Sequence, residues 1–140
     1  MRRVWPIVPG VVQGELLPTV KRAHPEDDLQ QTVVEFLDTA LPLTAVYYAI
    51  PNGGLRSKRA AARLRAQGVL SGMPDLCVLF GGRSTFLELK ARRGQIRPQQ
   101  RVVAARLAAA GFEVAYCKTL EAVRDALLAA GVPLRAEVMA

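Results

Sequence analysis

The sequence is poor in the residues on which many enzymes and secreted proteins depend. It has one histidine, His24, and two cysteines, Cys77 and Cys117. A single imidazole gives little support to a serine–histidine triad or a histidine general base, and His24 reads as a residue flanking the start of a helix. The cysteines lie apart, inside strand-like runs, with no CxxC pair and no histidine company. That excludes a zinc site and a disulfide framework and fits two buried free thiols in a reducing compartment. Aromatic residues make up 6% of the chain and are not interleaved with the basic ones, so a stacking platform for single strands has little support. No run reaches the roughly 18 apolar residues of a membrane span. The opening MRRVWPIVPGVVQGELLPTVKRA has a basic tip, but Pro6, Pro9, Gly10, Gly14 and Glu15 interrupt its apolar part and no small-residue cleavage site follows. Residues 1–23 therefore read as an extended arm, mobile or packed on a neighbouring subunit, and the expected location is the cytoplasm. Acidic residues are the last deficit, 12 against 19 Lys and Arg, for a formal charge of +7 and a pI near 10.1. On a chain that is 51% hydrophobic, this describes a folded basic protein suited to a polyanionic partner.

At 140 residues the length suits one domain, expected over residues 24–132, with residues 133–140 as a C-terminal tail. PEDDLQQTVVEFLDTA sets Leu29, Val33, Phe36, Leu37 and Ala40 at helical spacing behind an acidic first turn, and the helix ends near Pro42. TAVYYAI is β-branched and aromatic and stops at Pro51-Asn52-Gly53-Gly54, a strand followed by a tight loop. LRSKRAAARLRAQ is a strong helix former closed by Gly68. Two strand-like runs follow, Asp75–Phe80 and Thr85–Lys90, then the loop ARRGQIR and a helix from Pro98 to about Ala110. FEVAYC is a fourth strand, and TLEAVRDALLAA a last helix stopped by Gly131 and Pro133. The order αβαββαβα, without repeats or low-complexity segments, predicts an α/β fold with a mixed sheet and helices on its faces.

The central hairpin is apolar except for three charges near its open end: Asp75, Glu88 and Lys90. A loop made of Gly81-Gly82, of Gly82-Arg83 or of Gly81–Ser84 sets Asp75 opposite Glu88 or Lys90. In each case alternation with period two puts all three charges on one face, whereas a loop of odd length would separate them. Opposed side chains have Cβ atoms about 4.5–5.5 Å apart, which suits two carboxylates gripping one hard cation. Leu76, Val78, Leu87 and Leu89 then point the other way, into a core. Further polar groups continue apolar stripes. Glu26 and Gln30 extend the stripe of the first helix, where a buried carboxylate needs a partner. Gln100 continues Val103, Leu107 and Ala110 on the helix after the hairpin.

Asp75 followed by Glu88-Leu89-Lys90 resembles the PD-(D/E)xK nuclease superfamily. The surrounding words narrow the resemblance. Glu26 with Leu29-Gln30, IPNGG with a following arginine, GVLSGMPDL, FLELK, and GQIRPQQ before a helix are similar, in order, to the VRR-NUC (virus-type replication-repair nuclease) family, over about residues 24–118. The resemblance implies a restriction-endonuclease-like fold and metal-dependent phosphodiester hydrolysis. By it, Glu26, Asp75 and Glu88, with the backbone carbonyl of Leu89, hold one or two Mg²⁺ or Mn²⁺ ions. Lys90 positions or helps to deprotonate the attacking water, Gln100 orients the centre, and Asn52 matches a family position of undefined chemistry.

Basic side chains complete the expected footprint on DNA. Arg56, Arg59 and Arg63 fall on one face of the second helix, with Lys58 and Arg65 nearby, while Arg92, Arg93 and Arg97 follow the lysine of the motif. They are suited to backbone phosphates. The expectation is a metal-dependent DNA endonuclease acting on branched or otherwise structured DNA, such as four-way junctions, in replication, repair or phage recombination. It would work as a homodimer, with no membrane association and no small-molecule cofactor. The alternative is a nucleic-acid-binding module with the same fold that does not cleave. A sequence-specific restriction enzyme is a weaker reading, because so short a chain shows no target-recognition insert.

Overall fold

The structure, a computed structural model, describes residues 25–51 and 56–135. The arm over residues 1–23, His24, Asn52 with its two glycines, and residues 136–140 lie outside the described residues. The elements are α1 (Pro25–Ala40), β1 (Val46–Ala49), α2 (Lys58–Ala66), β2 (Leu76–Phe80), β3 (Arg83–Leu89), α3 (Pro98–Ala109), β4 (Val114–Cys117) and α4 (Leu120–Ala129). This is the αβαββαβα order expected from the sequence.

The strands form one sheet in the order β1-β2-β3-β4. The first three pair antiparallel, and β4 joins β3 in parallel. A parallel neighbour needs a long crossover, and α3 supplies it. The β2–β3 turn is the pair Gly81-Gly82, with φ of 58° and 75°. Two consecutive residues with positive φ make the turn whose twist matches that of the flanking strands, and glycine adopts it without steric cost. Of the alternative loops, this one gives the register Leu76↔Leu87 through Phe80↔Arg83. Carried one step outward, it sets Asp75 opposite Glu88.

The two faces of the sheet are covered unequally. Leu76, Val78, Leu87 and Leu89 turn to one face and are fully or almost fully buried against Val33, Leu37 and Ala40 of α1 and Val123 and Leu127 of α4. A fully buried aliphatic side chain of this size stabilises the fold by about 1.5–3 kcal/mol. α1 forms because its apolar residues recur every three or four positions and its Glu26-Asp27-Asp28 start complements the helix dipole. α4 starts at Thr119, whose Oγ1 accepts from the Ala122 N–H at 3.1 Å. Beyond α4, Val132 is buried, Leu134 packs against the core, and the Arg135 N–H donates to the Ala40 carbonyl at 2.8 Å.

On the other face, α3 packs against the β3–β4 side of the sheet. Val103 is buried there, and Phe86 meets Phe112 edge to face, with ring centroids 6.1 Å apart. Cys77 lies on this face and Cys117 on the core face beside Leu89, and both are buried free thiols. α2 begins at Ser57, which caps the Ala60 N–H at 3.1 Å, and buries no residue. Ahead of β2 the chain runs tightly against the start of α3. Gly72, with φ of 89°, has the Gln99 carbonyl oxygen 2.7 Å from where a Cβ would stand, so any side chain there would push the two segments apart.

Candidate active site

Alternation along β2 and β3 delivers the polar groups. Glu88 lies between core residues Leu87 and Leu89 but faces the opposite way, and Lys90 follows two residues on. Both are nearly excluded from solvent, at 2% and 5% exposure. Their charged ends meet, Lys90 Nζ to Glu88 Oε1, at 3.3 Å. Two ions at such depth are costly to desolvate and persist only with partners.

Asp75 sits immediately before β2, pinned on both sides. Its Oδ2 accepts from the Leu89 N–H at 2.7 Å, and its backbone carbonyl accepts from the Ile50 N–H at 2.8 Å, at the end of β1. In an extended residue the N–H and C=O leave the same edge of the strand, so the Leu89 carbonyl is directed toward the Asp75 side as well.

Gln100 completes the cluster, and the local chemistry of α3 explains how. Its Oε1 accepts from the Arg97 N–H at 2.9 Å, the reach-back of a third helical residue to the residue that caps the helix. That leaves its amide nitrogen to donate to Glu88 Oε1 at 2.6 Å. The cap therefore fixes which end of the amide faces the carboxylate.

The electrostatics are those of two acids held too close and too dry. Burial, followed by the charge of Asp75, raises the Glu88 carboxyl to about 7, against the lowering pull of Lys90. Burial also raises Asp75. The Leu89 N–H and Lys90 oppose that shift, and the charges of Glu26 and Asp27 add to it. Asp75 Oδ1 and Glu88 Oε2 make no hydrogen bond to the described residues. Carboxylate oxygens without a donor, one on buried Glu88 and one on half-buried Asp75, on groups that repel each other, suit a hard divalent cation.

Glu26 is the outlying member. The expectation of a buried stripe carboxylate is not met at this position: Glu26 is exposed in the first turn of α1, because the stripe enters the core only from Leu29 onward. Its Oε1 rests 3.5 Å from the Ala91 N–H, on the loop after Lys90, and its charge is felt by both Asp75 and Glu88. Among the described residues, no three His, Cys, Asp or Glu side chains are gathered tightly enough to hold a metal ion by themselves.

Cys77 shares the face but is fully buried. Burial raises its thiol, and its hydrogen bonds are to Tyr48 and Ser84, so it takes no part in the cluster.

The basic residues divide into two groups. Arg56, Arg59 and Arg63 line one groove on α2 with Ser57 and Gln67. Arg92, Arg93 and Arg97 are exposed on the loop between Lys90 and α3. Sequence reasoning missed Lys118, whose Nζ donates to the Arg92 carbonyl at 3.0 Å and ties the end of β4 to that loop. Only the parallel pairing of β3 with β4, which joins residues distant in sequence, brings it near.

A buried acid–x–lysine on a central strand, an acid at the mouth of its neighbour and a glutamine from the following helix form the arrangement expected of a PD-(D/E)xK-type nuclease centre. The VRR-NUC domain model matches residues 14–120, and the chain belongs to the VRR-NUC family. Membership implies a nuclease, hence DNA as partner, and suggests the use of a divalent metal. A solved structure described as a VRR_NUC domain protein superposes with a TM-score of 0.59 at 21% identity, over 77% of this chain and 88% of its own. At that identity the likeness is one of fold. No curated protein is significantly similar to the chain. No helix among the described residues is long and apolar enough to cross a membrane.

Proposed function

We propose that the protein is a Mg²⁺- or Mn²⁺-dependent DNA endonuclease that hydrolyses phosphodiester bonds in branched or otherwise structured DNA, working as a homodimer. The observation that carries the reading is the convergence of Asp75, Glu88, Lys90 and Gln100 on one face of the central hairpin. The free oxygens of Asp75 and Glu88, the Leu89 carbonyl and Glu26 are the residues to hold one or two ions. Such ions, when bound, polarise a phosphate, acidify a water and steady a leaving oxygen.

The chain's own groups do the rest. Lys90 Nζ, fixed beside Glu88, donates hydrogen bonds to the attacking water or to the phosphate oxygens and offsets charge building there. Gln100 holds Glu88 in one rotamer. The Leu89 N–H does the same for Asp75, so neither carboxylate has to reorganise during reaction. Arg56, Arg59, Arg63, Arg92, Arg93 and Arg97 bind backbone phosphates, and Asn52 is assigned to the same DNA-binding set.

Nicking of supercoiled plasmid with Mg²⁺ or Mn²⁺ tests the chemistry. The wild type cuts and Lys90→Ala does not. Equal residual cutting by both would remove the nuclease assignment, and metal-independent binding without cutting would favour a non-cleaving DNA-binding module. Labelled four-way junctions, flaps, forks and linear duplexes then test the preference for branched DNA, which equal rates on all four would refute. Light scattering that returns a monomer mass at working concentration would refute the dimer.

A further inference from the structure

The catalytic face does not end at β3. The parallel register puts Tyr116 beside Glu88, and alternation brings Lys118, two residues on, to the same face beside Lys90. A cavity of about 470 Å³ opens there, walled by Lys90, Arg101, Tyr116, Lys118 and Thr119, with Ile96 among the apolar contributors. It has three cationic side chains and no acidic one in its lining.

The charges are unequally matched. Lys90 has Glu88 at 3.3 Å, whereas Arg101 and Lys118 form no ion pair among the described residues. Lys118 is nevertheless held in place, because one of its three donors is spent on the Arg92 carbonyl at 3.0 Å. The first turn of α4 begins beside Thr119 and turns the positive end of its dipole to the wall, partly offset by Glu121, which lies in that turn but outside the lining. A concave site with two unpaired cations, one of them an ammonium held in place, is built for an anion. Because Lys90 belongs both to this cavity and to the carboxylate cluster, that anion and the reacting phosphate are neighbours.

We propose that the cavity between β4, α3 and the start of α4 is a second phosphate site, in which Lys118 and Arg101 hold an internal backbone phosphate of the DNA strand being cut. Tyr116 and Ile96 give the adjoining sugar an apolar wall. The site sets the strand's path across β3 toward β4 and thereby chooses which phosphodiester reaches Asp75, Glu88 and Lys90. The inference rests on the nuclease reading for the identity of the strand, but its test does not depend on cleavage.

Binding of a fluorescent duplex is measured without divalent metal across a range of salt concentrations, for wild type, Lys118→Ala, Arg101→Ala and the double variant. The double variant is expected to bind more weakly, with the slope of log affinity against log salt shallower by about 0.9, the equivalent of one phosphate. Lys118→Arg, which keeps the charge, is expected to restore binding. A duplex bearing one uncharged methylphosphonate linkage, moved stepwise along the strand, should weaken the wild type at one position and leave the double variant indifferent there. The same defect is expected on a covalently closed minicircle, which has no ends.

An unchanged salt slope, or equal sensitivity of both proteins at every linkage, would overturn the proposal. So would a defect confined to linear 5′-phosphorylated duplexes, which would mark a terminal phosphate as the ligand. If the wild type cuts DNA and the double variant binds like it, the second phosphate site fails while the nuclease assignment stands. If the wild type never cuts but the methylphosphonate effect appears, the phosphate site stands without the nuclease.

Discussion

The two faces of the β2–β3 hairpin share the same strands, depth and neighbours in sequence, yet they do opposite work. One presents Leu76, Val78, Leu87 and Leu89 to the core under α1 and α4. The other presents Asp75, Glu88 and Lys90, with Gln100 reaching in from α3. The contrast shows how a small domain can hold ionisable groups rigidly. Each of these ionisable side chains is flanked along the chain by a leucine locked into the core, so its backbone cannot drift. Leu89 joins the two sides, since its side chain anchors the core while its N–H holds Asp75.

Substitutions one residue apart should therefore separate activity from stability. The largest effect is expected for Glu88→Gln, which should lower the cleavage rate by about a thousandfold or more, roughly 4 kcal/mol of transition-state stabilisation. Plasmid nicking under single-turnover conditions measures it, and a loss of less than tenfold would make the polar face dispensable. Its neighbour Leu87→Ala should cost about 2–5 kcal/mol of stability through the cavity it leaves. Urea unfolding measures that cost, and the variant should keep wild-type cutting wherever it remains folded. If Leu87→Ala abolished cleavage without unfolding, the division between faces would not hold.

Gln100→Ala should cost about 10–100-fold in activity or metal affinity, the usual scale for a group that orients a ligand. Gln100→Glu, which puts a carboxylate against a carboxylate, should not rescue it. The pH dependence sharpens the comparison further. Because the folded-state Glu88 carboxyl is raised to about 7, the metal-free folded protein holds more protons than the unfolded chain from the ordinary glutamate range up to that pH. Stability should therefore fall as pH rises through that window, by at most about 1.4 kcal/mol per pH unit for this one group. Glu88→Gln should flatten the profile, and an unchanged slope in that variant would assign the effect elsewhere. The smallest effect, about 1 kcal/mol, is expected for Gly82→Ala, because its φ of 75° strains any side chain. Denaturant midpoints measure it.

Much of this was legible in the sequence, for a local reason. A loop of even length around Gly81-Gly82 and strict alternation are enough to put Asp75, Glu88 and Lys90 on one face. Three loops were compatible with that parity, and only the two positive φ angles select the register with Asp75 opposite Glu88. The ordered words from Glu26 to the Gln100 helix pointed to the family that the domain match bears out. Long-range placement was not legible. The parallel pairing of β4 on β3, and with it the approach of Tyr116 and Lys118, follows from a crossover whose landing point no local pattern specifies. Glu26 illustrates the same limit at a helix end. Helical spacing put it on the apolar stripe, but the packed part of α1 begins one turn later and leaves it in solvent.

The single amide of Gln100 has a thermal consequence. Since the contact that seals the first turn of α3 also clamps Glu88, fraying of that turn releases the carboxylate while the sheet beneath stays intact. Warming should therefore silence the protein some degrees before it melts, with amide exchange at Arg97 rising in step with the loss of cutting.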